Sequence, residues 1–310
     1  KVVFFYKYSI MKIDLSLFND EVQVGTDLCQ QIETFGYEAY LVGGCVRDIV
    51  RWYKNGQKGD PKIHDVDIAT NMPIDELYDN FKCTSNNGEA HGTILVKWQN
   101  EVFEVTQFRT DGDYSDGRHP DSVQFTKSFK DDVARRDFTI NAMGIDCRGN
   151  LIDYYNGEKD LDDNILRTVG DSNKRFGEDA LRIIRAMRFA ARFGMKIDPE
   201  TMQGIKNIKD NLDKIAKERI GAELMKTAEY GKKPFADVIG LLMKTGVNEV
   251  IDPEMLINWK FAKQFTRKYA QMDNTEAAPK VLFGLLFYDC DNLPECIKLF
   301  RLENDLMEAL

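Results

Sequence analysis

Two aspartates separated by one residue, Asp65 and Asp67, form the carboxylate pair in this sequence with the clearest chemical potential. Apolar neighbours predict a half-buried β-strand over residues 63–68, and alternation along a strand would place both carboxylates on one face with Val66 in the core. Carboxylates so placed can hold a pair of Mg²⁺ ions, which prefer oxygen ligands and support phosphoryl transfer. Most Asp-x-Asp pairs are solvated surface acids, so the pair alone is a weak signal.

A glycine pair, Gly43-Gly44, lies between a predicted strand over residues 38–42 and a predicted helix over residues 46–53. The free backbone N–H groups at the start of a helix suit phosphate oxygens. Glycine has no side chain, so the backbone can approach a triphosphate closely. An ordinary strand–helix turn is the alternative, and the glycine pair alone does not exclude it.

An acid and a base three residues apart, Asp179 and Arg182, fall in a helix predicted over residues 176–193, which would place them on one face. A carboxylate accepts from an amino group, and a guanidinium donates to a ring nitrogen. Cytosine and adenine present that pattern on their Watson–Crick edges, whereas uracil and guanine reverse it. Because an unpaired buried polar group costs roughly 1–3 kcal/mol, the pair could select C and A. A helix-surface salt bridge is the alternative.

The elements that must position these residues change in kind along the chain. The first half is mixed α/β, with a hairpin predicted for residues 92–98 and 102–108 and a loop over residues 111–121. From about residue 160 the period becomes helical, and Asp198 and Pro199 are predicted to open one of the helices. We therefore expect a catalytic α/β region followed by a helical one, with the boundary near residues 145–160.

Composition limits the possible settings. The net charge of −9 argues against indiscriminate coating of nucleic acid, but residues 174–233 hold fifteen Lys and Arg against nine Asp and Glu, so one face can still bind RNA. The six cysteines form no Cys-x-x-Cys pair, which favours reduced thiols and a cytoplasmic location. No run of eighteen apolar residues occurs, so we expect no membrane partner.

Five motifs in order extend these local signals. Gly43-Gly44-x-Val46-Arg47-Asp48 with Asp65-x-Asp67 resembles the first motif of class II tRNA nucleotidyltransferases and bacterial poly(A) polymerases. The resemblance runs from Leu41 to about Lys226 and continues through Glu104-Val-Thr-Gln-Phe-Arg109, Arg135-Arg-Asp-Phe-Thr-Ile-Asn-Ala142, Arg175-Phe-x-Glu-Asp179-x-x-Arg182-x-x-Arg185 and Lys217-Glu-Arg219-Ile-x-x-Glu223-Leu. Chance agreement of five ordered motifs is very improbable, so this signal is strong.

The resemblance implies roles for individual residues. It makes Asp65, Asp67 and Glu104 the catalytic carboxylates, with Asp65 and Asp67 as ligands of two Mg²⁺ ions. It assigns nucleotide binding to a larger set: Gly43, Gly44, Arg47, Arg135, Asp137, Asp179, Arg182 and Arg185. Glu178 would orient Arg182, whereas Arg188 and Arg192 are expected to face RNA or solvent.

The fold implied by the resemblance is α+β, with a polymerase-β-type nucleotidyltransferase head domain followed by all-α neck and body domains. We place the head at residues 1–148, the nucleotide-selecting neck at 149–215 and the body at 216–310, with the tail reduced or absent.

The implied activity is template-independent addition of CCA to the 3′ end of tRNA from CTP and ATP. A poly(A) polymerase of the same family and a catalytically silent RNA-binding module are the alternatives. The full-length loop at residues 111–123, a counterpart of one needed for the final A, favours CCA addition, as does an acidic segment at residues 302–308 where poly(A) polymerases tend to be basic. Whether the protein is a monomer or a dimer stays open.

Overall fold

The structure is a computed structural model that describes residues 11–59, 61, 63–85, 88–112, 122–271, 278–287 and 300. The sequence-based inferences on most of the loop, residues 113–121, and on the acidic residues 302–308 fall outside this described part. The described residues form two compact units. The first extends to Asp163 and includes Arg167–Gly170, and the second comprises Asn164–Leu166 and the residues from Asp171 onward.

A mixed sheet forms the centre of the first unit. The strands in its described residues are β1 (Ala39–Val42), β2 (Asp67–Thr70), β3 (Lys82–Thr84), β4 (Thr93–Trp98), β5 (Glu101–Gln107), β6 (Arg109–Asp111), β7 (Val123–Phe125), β8 (Met143–Ile145) and β9 (Leu151–Asp153). Seven of them form one sheet in the order β3-β4-β5-β2-β1-β8-β9, and β6 pairs with β7. Within the large sheet β2 and β5 run parallel and the other neighbours antiparallel. The predicted mixed sheet is therefore confirmed, and it extends to β9, beyond residue 148.

The predicted hairpin is also confirmed as β4 and β5. Trp98 pairs with Glu101, which leaves Gln99 and Asn100 as a two-residue turn, and Gln99 has the positive φ of 51° that such turns favour. Alternate residues along these strands, including Ile94 and Val105, are fully buried. This period of two comes from the pleat of the strand, so one face of the hairpin packs into the core.

Helices accompany the sheet of the first unit: α1 (Asp20–Thr34), α2 (Gly44–Lys54), α3 (Ile74–Asn80), α4 (Phe129–Ala134) and α5 (Gly157–Asp162). The face of α1 that carries Val22, Leu28 and Ile32 is buried. Asn19 occupies the N-cap position of α1, but its side chain does not cap the helix. Instead it exchanges hydrogen bonds of 2.8 and 3.3 Å with the backbone of Ile63, and so ties the start of α1 to the segment before β2.

The strand predicted at residues 63–68 is wrong in its position, because β2 begins at Asp67. Its antiparallel partner β1 ends at Val42, which pairs with Asp67, and the chain then turns at Gly43 into α2. Residues before Asp67 therefore have no neighbouring strand among the described residues. Asp65 takes a left-handed backbone, with φ of 57°, so the two aspartates do not alternate along one strand.

The second unit is mainly helical. Its helices in the described residues are α6 (Ser172–Glu178), α7 (Leu181–Phe193), α8 (Pro199–Ile208), α9 (Lys217–Glu229), α10 (Lys232–Thr245), α11 (Val247–Ile251), α12 (Trp259–Ala270) and α13 (Pro279–Gly284), and β10 (Ile165–Leu166) and β11 (Lys196–Ile197) form a short parallel pair. The predicted start of α8 is confirmed, because the Asp198 carboxylate accepts hydrogen bonds from the backbone N–H groups of Glu200 and Thr201. No helix in the described residues is long and apolar enough to cross a membrane.

The single helix predicted over residues 176–193 is wrong, because the chain forms α6 and α7 with a break at Asp179. Asp179 has an extended backbone, with φ of −144° and ψ of 104°. Its Oδ1 accepts a hydrogen bond of 3.0 Å from the backbone N–H of Leu181. A short acidic side chain offers the backbone this alternative to helical hydrogen bonding. Asp179 and Arg182 therefore do not share a face of one helix.

Candidate active site

The turn between β1 and α2 brings the backbone close to a carboxylate and a guanidinium. Gly43 has φ of 77°, a conformation that glycine adopts without strain, and Gly44 is the first residue of α2. A Cβ atom built on Gly43 would lie 3.4 Å from Oδ2 of Asp67 and 3.5 Å from Nη1 of Arg136. The predicted strand–glycine–helix turn is therefore present. Because Gly43 has no side chain, the space between Asp67 and Arg136 stays open.

The three predicted catalytic carboxylates lie at this corner of the first unit. Asp67 is the first residue of β2 and pairs with Val42 beside the turn. Ile68 pairs with Val105 in the parallel ladder, so Asp67 and Glu104, which each precede one of them, are neighbours on the same face of the sheet. Asp65 is exposed in the segment before β2.

The electrostatics of Asp67 reflect this crowding. Burial, together with the negative charges of Glu104 and Asp65, raises the pKa of its carboxyl to about 6, against the opposing positive charge of Arg136. When burial and like charges raise the pKa of a carboxylate, a nearby cation stabilises its charged form. The corner is therefore a place where bound positive charge is favourable.

These residues fit a metal site that the substrate completes. Within the described part of the chain, no group of three or more His, Cys, Asp or Glu side chains is arranged to hold a metal ion by itself. Mg²⁺ is usually held by one or two carboxylates, with water and substrate phosphates supplying the remaining ligands. The mutual repulsion of Asp65, Asp67 and Glu104 is what such an ion would relieve.

Arg47, predicted to bind nucleotide, is 4% exposed and lies beneath the glycine turn. Its Nη1 donates to Oδ1 of Asn141 at 2.8 Å, and its Nε and Nη2 donate to the Asp48 carboxylate at 2.9 Å. Arg47 thereby ties α2 to the 3₁₀ turn at Thr139–Asn141. These contacts hold the turn in place, and a direct contact with nucleotide stays a prediction.

A buried carboxylate that was not among the predicted site residues, Asp132, lies three and four residues before Arg135 and Arg136 and binds both of these arginines of the Arg135-Arg136-Asp137 motif. Its Oδ1 accepts from Nε and Nη2 of Arg135 at 3.1 and 2.9 Å, and its Oδ2 accepts from Nη2 of Arg136 at 3.3 Å. The backbone N–H of Arg109 also donates to it, at 3.2 Å. Burial works against the charged form, yet the two guanidinium groups and these hydrogen bonds hold the pKa of Asp132 below its usual value.

Arg136 was not among the predicted site residues, although it lies in the motif that begins at Arg135. Its charge acts on Asp67, and its Nη1 lies next to Gly43. Its Nε is buried without a hydrogen-bond partner among the described residues. A buried donor left unpaired is costly, so an oxygen of a ligand at the glycine turn would satisfy it. Arg136 is the residue that we add to the site.

Asp137 is 9% exposed and is already engaged within the first unit. Its Oδ1 accepts hydrogen bonds from the backbone N–H of Phe138 at 2.8 Å and from Nδ2 of Asn141 at 3.1 Å. Asp137 therefore shares Asn141 with Arg47, which links the motif to the glycine turn. Its predicted contact with the ribose stays a prediction.

In the second unit, Asp179 is held on two sides at the break between α6 and α7. Its Oδ1 bonds the start of α7, and its Oδ2 lies 3.5 Å from Nη2 of Arg219 on α9. Arg219 belongs to the motif that begins at Lys217, but the sequence predicts no role for it. The structure assigns it a contact that orients Asp179.

Arg182, in the first turn of α7, is held by its neighbours on α6. Its Nη1 donates to Oε2 of Glu178 at 2.7 Å and to the backbone oxygen of Arg175 at 3.0 Å. Nη1 of Arg175 donates to the same Glu178 oxygen at 2.7 Å. The predicted pairing of Glu178 with Arg182 is therefore present, and Asp179 and Arg182 are oriented by different partners.

Three further arginines follow along α7. Arg185 is half-buried, with its guanidinium carbon 5.4 Å from the ring centroid of Phe189. The expectation that Arg188 faces RNA or solvent is wrong: it is 5% exposed, and its Nε donates to Oε2 of Glu223 at 2.7 Å. A buried charge needs such a partner, and Glu223 lies far from Arg188 in the sequence. Nη1 of Arg192 donates to Oη of Tyr230 at 3.3 Å.

Two family models match the chain. One, described as the poly A polymerase head domain, matches residues 39–167, and one described as the probable RNA and SrmB-binding site of polymerase A matches residues 194–256. The first match contains the glycine turn and the carboxylate corner. The second covers α8 to α11 in full.

Curated relatives and a solved structure show the same similarity. The chain is 40% identical over 253 residues to a CCA-adding enzyme of Ligilactobacillus salivarius, which covers 82% of this chain and 57% of that protein. It is 34% identical over 297 residues to a CCA-adding enzyme of Limosilactobacillus fermentum, covering 94% of this chain and 70% of that protein. The crystal structure of the Bacillus stearothermophilus CCA-adding enzyme in complex with CTP matches with a TM-score of 0.76 and 33% identity, over 94% of this chain and 68% of that one. The chain thus spans little more than half the length of some curated relatives.

Proposed function

The chain belongs to the family of CCA-adding enzymes, and from that membership we propose that it adds C, C and A to the 3′ end of tRNA, using CTP and ATP. The observation that carries this proposal is the 34% identity to a CCA-adding enzyme over 297 residues, which include the carboxylate corner and the Glu178-to-Arg182 segment. Because the chain spans only part of its relatives, the activity, the substrates and the tRNA partner are all proposals.

We propose that the first unit holds the triphosphate and carries out nucleotidyl transfer. The backbone N–H groups at Gly43 and Gly44 open α2, where the helix dipole favours anions. Arg136 places its Nη1 beside Gly43, and Arg47 fixes the turn from below. In this arrangement phosphate oxygens would meet N–H groups and a guanidinium on one side and the carboxylates on the other.

We propose that Asp65 and Asp67 hold two Mg²⁺ ions, with Glu104 beside them as the third acid. Mg²⁺ bound there would supply Lewis-acid activation of the 3′-hydroxyl and neutralise charge on the leaving pyrophosphate. The residues of the chain contribute the negative charge and its placement: Asp67 is fixed by pairing with Val42, and Glu104 by the parallel ladder.

We propose that Asp179 and Arg182 choose the base in the second unit. Leu181 and Arg219 orient the carboxylate, and Glu178 and Arg175 orient the guanidinium, so both groups are held before a base arrives. A preorganised acceptor beside a preorganised donor matches C and A and opposes U and G. In this proposal Asp179 lies at the break before α7 and Arg182 lies on α7, whereas the sequence predicted both on one face of a single helix.

The remaining site assignments and the setting stay as proposals. Arg135 and Asp137 would contact the ribose, favouring ribonucleotides, and Arg185 would contact the triphosphate. The division into a head at residues 1–148, a neck at 149–215 and a body at 216–310 is likewise proposed. Cys29, Cys45, Cys83 and Cys147 are free thiols, which supports the proposed cytoplasmic location.

The test is incorporation of labelled nucleotides into tRNA that lacks its last three residues. Protein, Mg²⁺ and this tRNA are incubated with CTP, ATP or both, and the products are resolved to single-nucleotide length. We expect two C additions with CTP alone and one further A with both nucleotides. Long A tails with ATP alone would identify a poly(A) polymerase instead, and no incorporation would leave an RNA-binding module.

A further inference from the structure

A cleft in the second unit contains none of the residues assigned above. It has a volume of about 460 Å³ and is formed by the end of α7, β11, α8, α10 and α12. Its first lining residue on α7 is Ala190. At 1.5 Å per residue this is about 12 Å along the helix from Arg182. The cleft is therefore separated from the proposed base-selecting pair by about two helical turns.

The rim of the cleft is basic. Lys196, Lys233, Lys244 and Arg267 line it and are exposed, whereas Asp237 is the acid among the lining residues. Asp237 accepts a hydrogen bond of 2.8 Å from Lys233. Apart from this pair, the charged residues that line the cleft are Lys196, Lys244 and Arg267, so its net charge is positive.

The basic rim is built on two helices. On α10 the lining residues follow a helical spacing, from Lys233 through Gly240 to Lys244, so one face of the helix points to the cleft. Helix α12 carries Arg267 and three lysines and has no acidic residue. A Cβ atom built on Gly240 would lie 3.6 Å from Nη2 of Arg267, so the glycine lets this guanidinium cross close to α10.

The floor of the cleft is apolar. Ala191 and Met195 are buried there, and Ile197, Met202 and Leu241 are partly buried. An apolar floor below a cationic rim offers a flat ring a surface on which to lie while attached phosphates reach the rim. A free phosphate ion would use the rim alone and leave the floor exposed to water.

We propose that this cleft binds the phosphate backbone of an RNA chain, with a nucleoside unit of that chain lying against the apolar floor. The inference rests on the proposed function, because it takes the polyanion to be the RNA substrate. Charge complementarity carries it: the rim is positive in a chain whose net charge is −9. The lining residues from Gly194 to Lys244 also lie within the segment that matches an RNA-binding model.

The test is the salt dependence of RNA binding by the full chain, without nucleotides. Affinity for tRNA lacking its last three residues is measured by fluorescence anisotropy between about 50 and 200 mM salt. We expect the double variant K244A/R267A to bind roughly tenfold more weakly at low salt, with a salt slope shallower by about one to two units. The matched control K260A/K268A removes two exposed charges from α12, neither of which lines the cleft, and should keep the wild-type slope.

A second variant, Gly240→Met, fills the cleft without changing charge, and glycine is a poor helix former, so the change does not weaken α10. We expect it to weaken RNA binding as well. Equal affinity and slope for K244A/R267A and its control would overturn the proposal. It would also fail if the double variant lost binding of ATP or pyrophosphate and kept that of RNA, since the cleft would then serve a free phosphate compound.

The same experiment separates this inference from the proposed function. Wild-type protein that binds the RNA through the cleft but adds no nucleotide would refute CCA addition and leave the cleft proposal standing. Normal addition with an unchanged Michaelis constant for tRNA in K244A/R267A would refute the cleft proposal alone. Absence of any RNA binding by the wild-type chain would overturn both.

Discussion

Asp67 and Glu104 are neighbours on the parallel strands β2 and β5, and the charge of Glu104 helps to raise the pKa of Asp67 to about 6, after burial as the main cause. Parallel pairing places them side by side although they lie far apart in the sequence. A pair of acids that repel one another gains from a shared cation, which makes this relationship the structural basis for the proposed metal site.

Removing the charge of Glu104 tests that site. We expect Glu104→Gln to lower the rate of nucleotide addition by about a hundredfold or more, because metal-assisted stabilisation is worth several kcal/mol. The measurement is the single-turnover rate of C addition at saturating Mg²⁺. Glu101→Gln is the matched control, since Glu101 lies on the same strand three residues away and so faces the opposite side. Equal rates in the two variants would remove Glu104 from the site.

The space that Gly43 leaves between Asp67 and Arg136 provides a second test. Gly43→Ala combines a backbone conformation that favours glycine with a Cβ atom between Asp67 and Arg136, so we expect loss of about 1–3 kcal/mol of unfolding free energy and near-complete loss of nucleotide addition. Gly36→Ala is the matched control, because Gly36 also has a positive φ, of 86°, but nothing lies within 4 Å of its Cβ position. Urea unfolding and nucleotide incorporation are compared. Activity of Gly43→Ala equal to that of the control would contradict the role of the turn.

Base choice tests the assignment of Asp179. We expect Asp179→Ala to reduce the preference for C and A over U and G by about ten- to a hundredfold, because one of the two groups that oppose the wrong base is lost. Incorporation of each of the four nucleotides is measured separately. Asp210→Ala, an exposed substitution in the same unit, should leave the preference unchanged. An unaltered preference in Asp179→Ala would refute base reading by this residue.

Asp132 provides a test of stability. Asp132→Asn removes the buried anion that Arg135 and Arg136 share, although Arg135 also lies 3.7 Å from Asp111, and we expect a loss of about 3–5 kcal/mol of unfolding free energy. The exposed neighbour Asp131 serves as the control, and Asp131→Asn should change the unfolding free energy by less than about 1 kcal/mol. Urea unfolding at neutral pH measures both. A small loss for Asp132→Asn would mean that the two arginines find other partners.

The same carboxylate predicts a dependence on pH. The folded-state pKa of Asp132 lies below its usual value of 3.8, because the charges of Arg135 and Arg136 outweigh the effect of burial. Its contribution to stability is therefore complete above about pH 4 and is lost as the pH falls through the folded-state pKa. We expect the difference in unfolding free energy between wild type and Asp132→Asn to stay constant above about pH 5 and to narrow below about pH 4. A difference that widens on acidification would reverse this assignment.

Several features could be predicted from the sequence because their signals are local. The hairpin of β4 and β5 follows from alternating apolar residues around a two-residue turn, and the start of α8 follows from Asp198 and Pro199. The order of the motifs was enough to indicate the family and the chemistry. Contact between Glu178 and Arg182 was also predictable, since four residues along the chain keep them within reach.

Other features depended on partners that are distant in the sequence. The end of β1 at Val42 decides where β2 begins, so Asp65 and Asp67 meet at a strand end and not along one strand. Arg219 on α9 lies against Asp179 at the break between α6 and α7. Glu223 on α9 pairs with the buried Arg188 of α7, although the two residues are far apart in the sequence.

The sequence by itself therefore determined the family, and with it the chemistry that we propose and the residues proposed to carry it, because motif order and short-range spacing are written along the chain. Only the tertiary structure decided how those side chains are held. Strand pairing and buried ion pairs join residues that are far apart in sequence, and the free energy of burying a charge depends on a partner that no local pattern specifies.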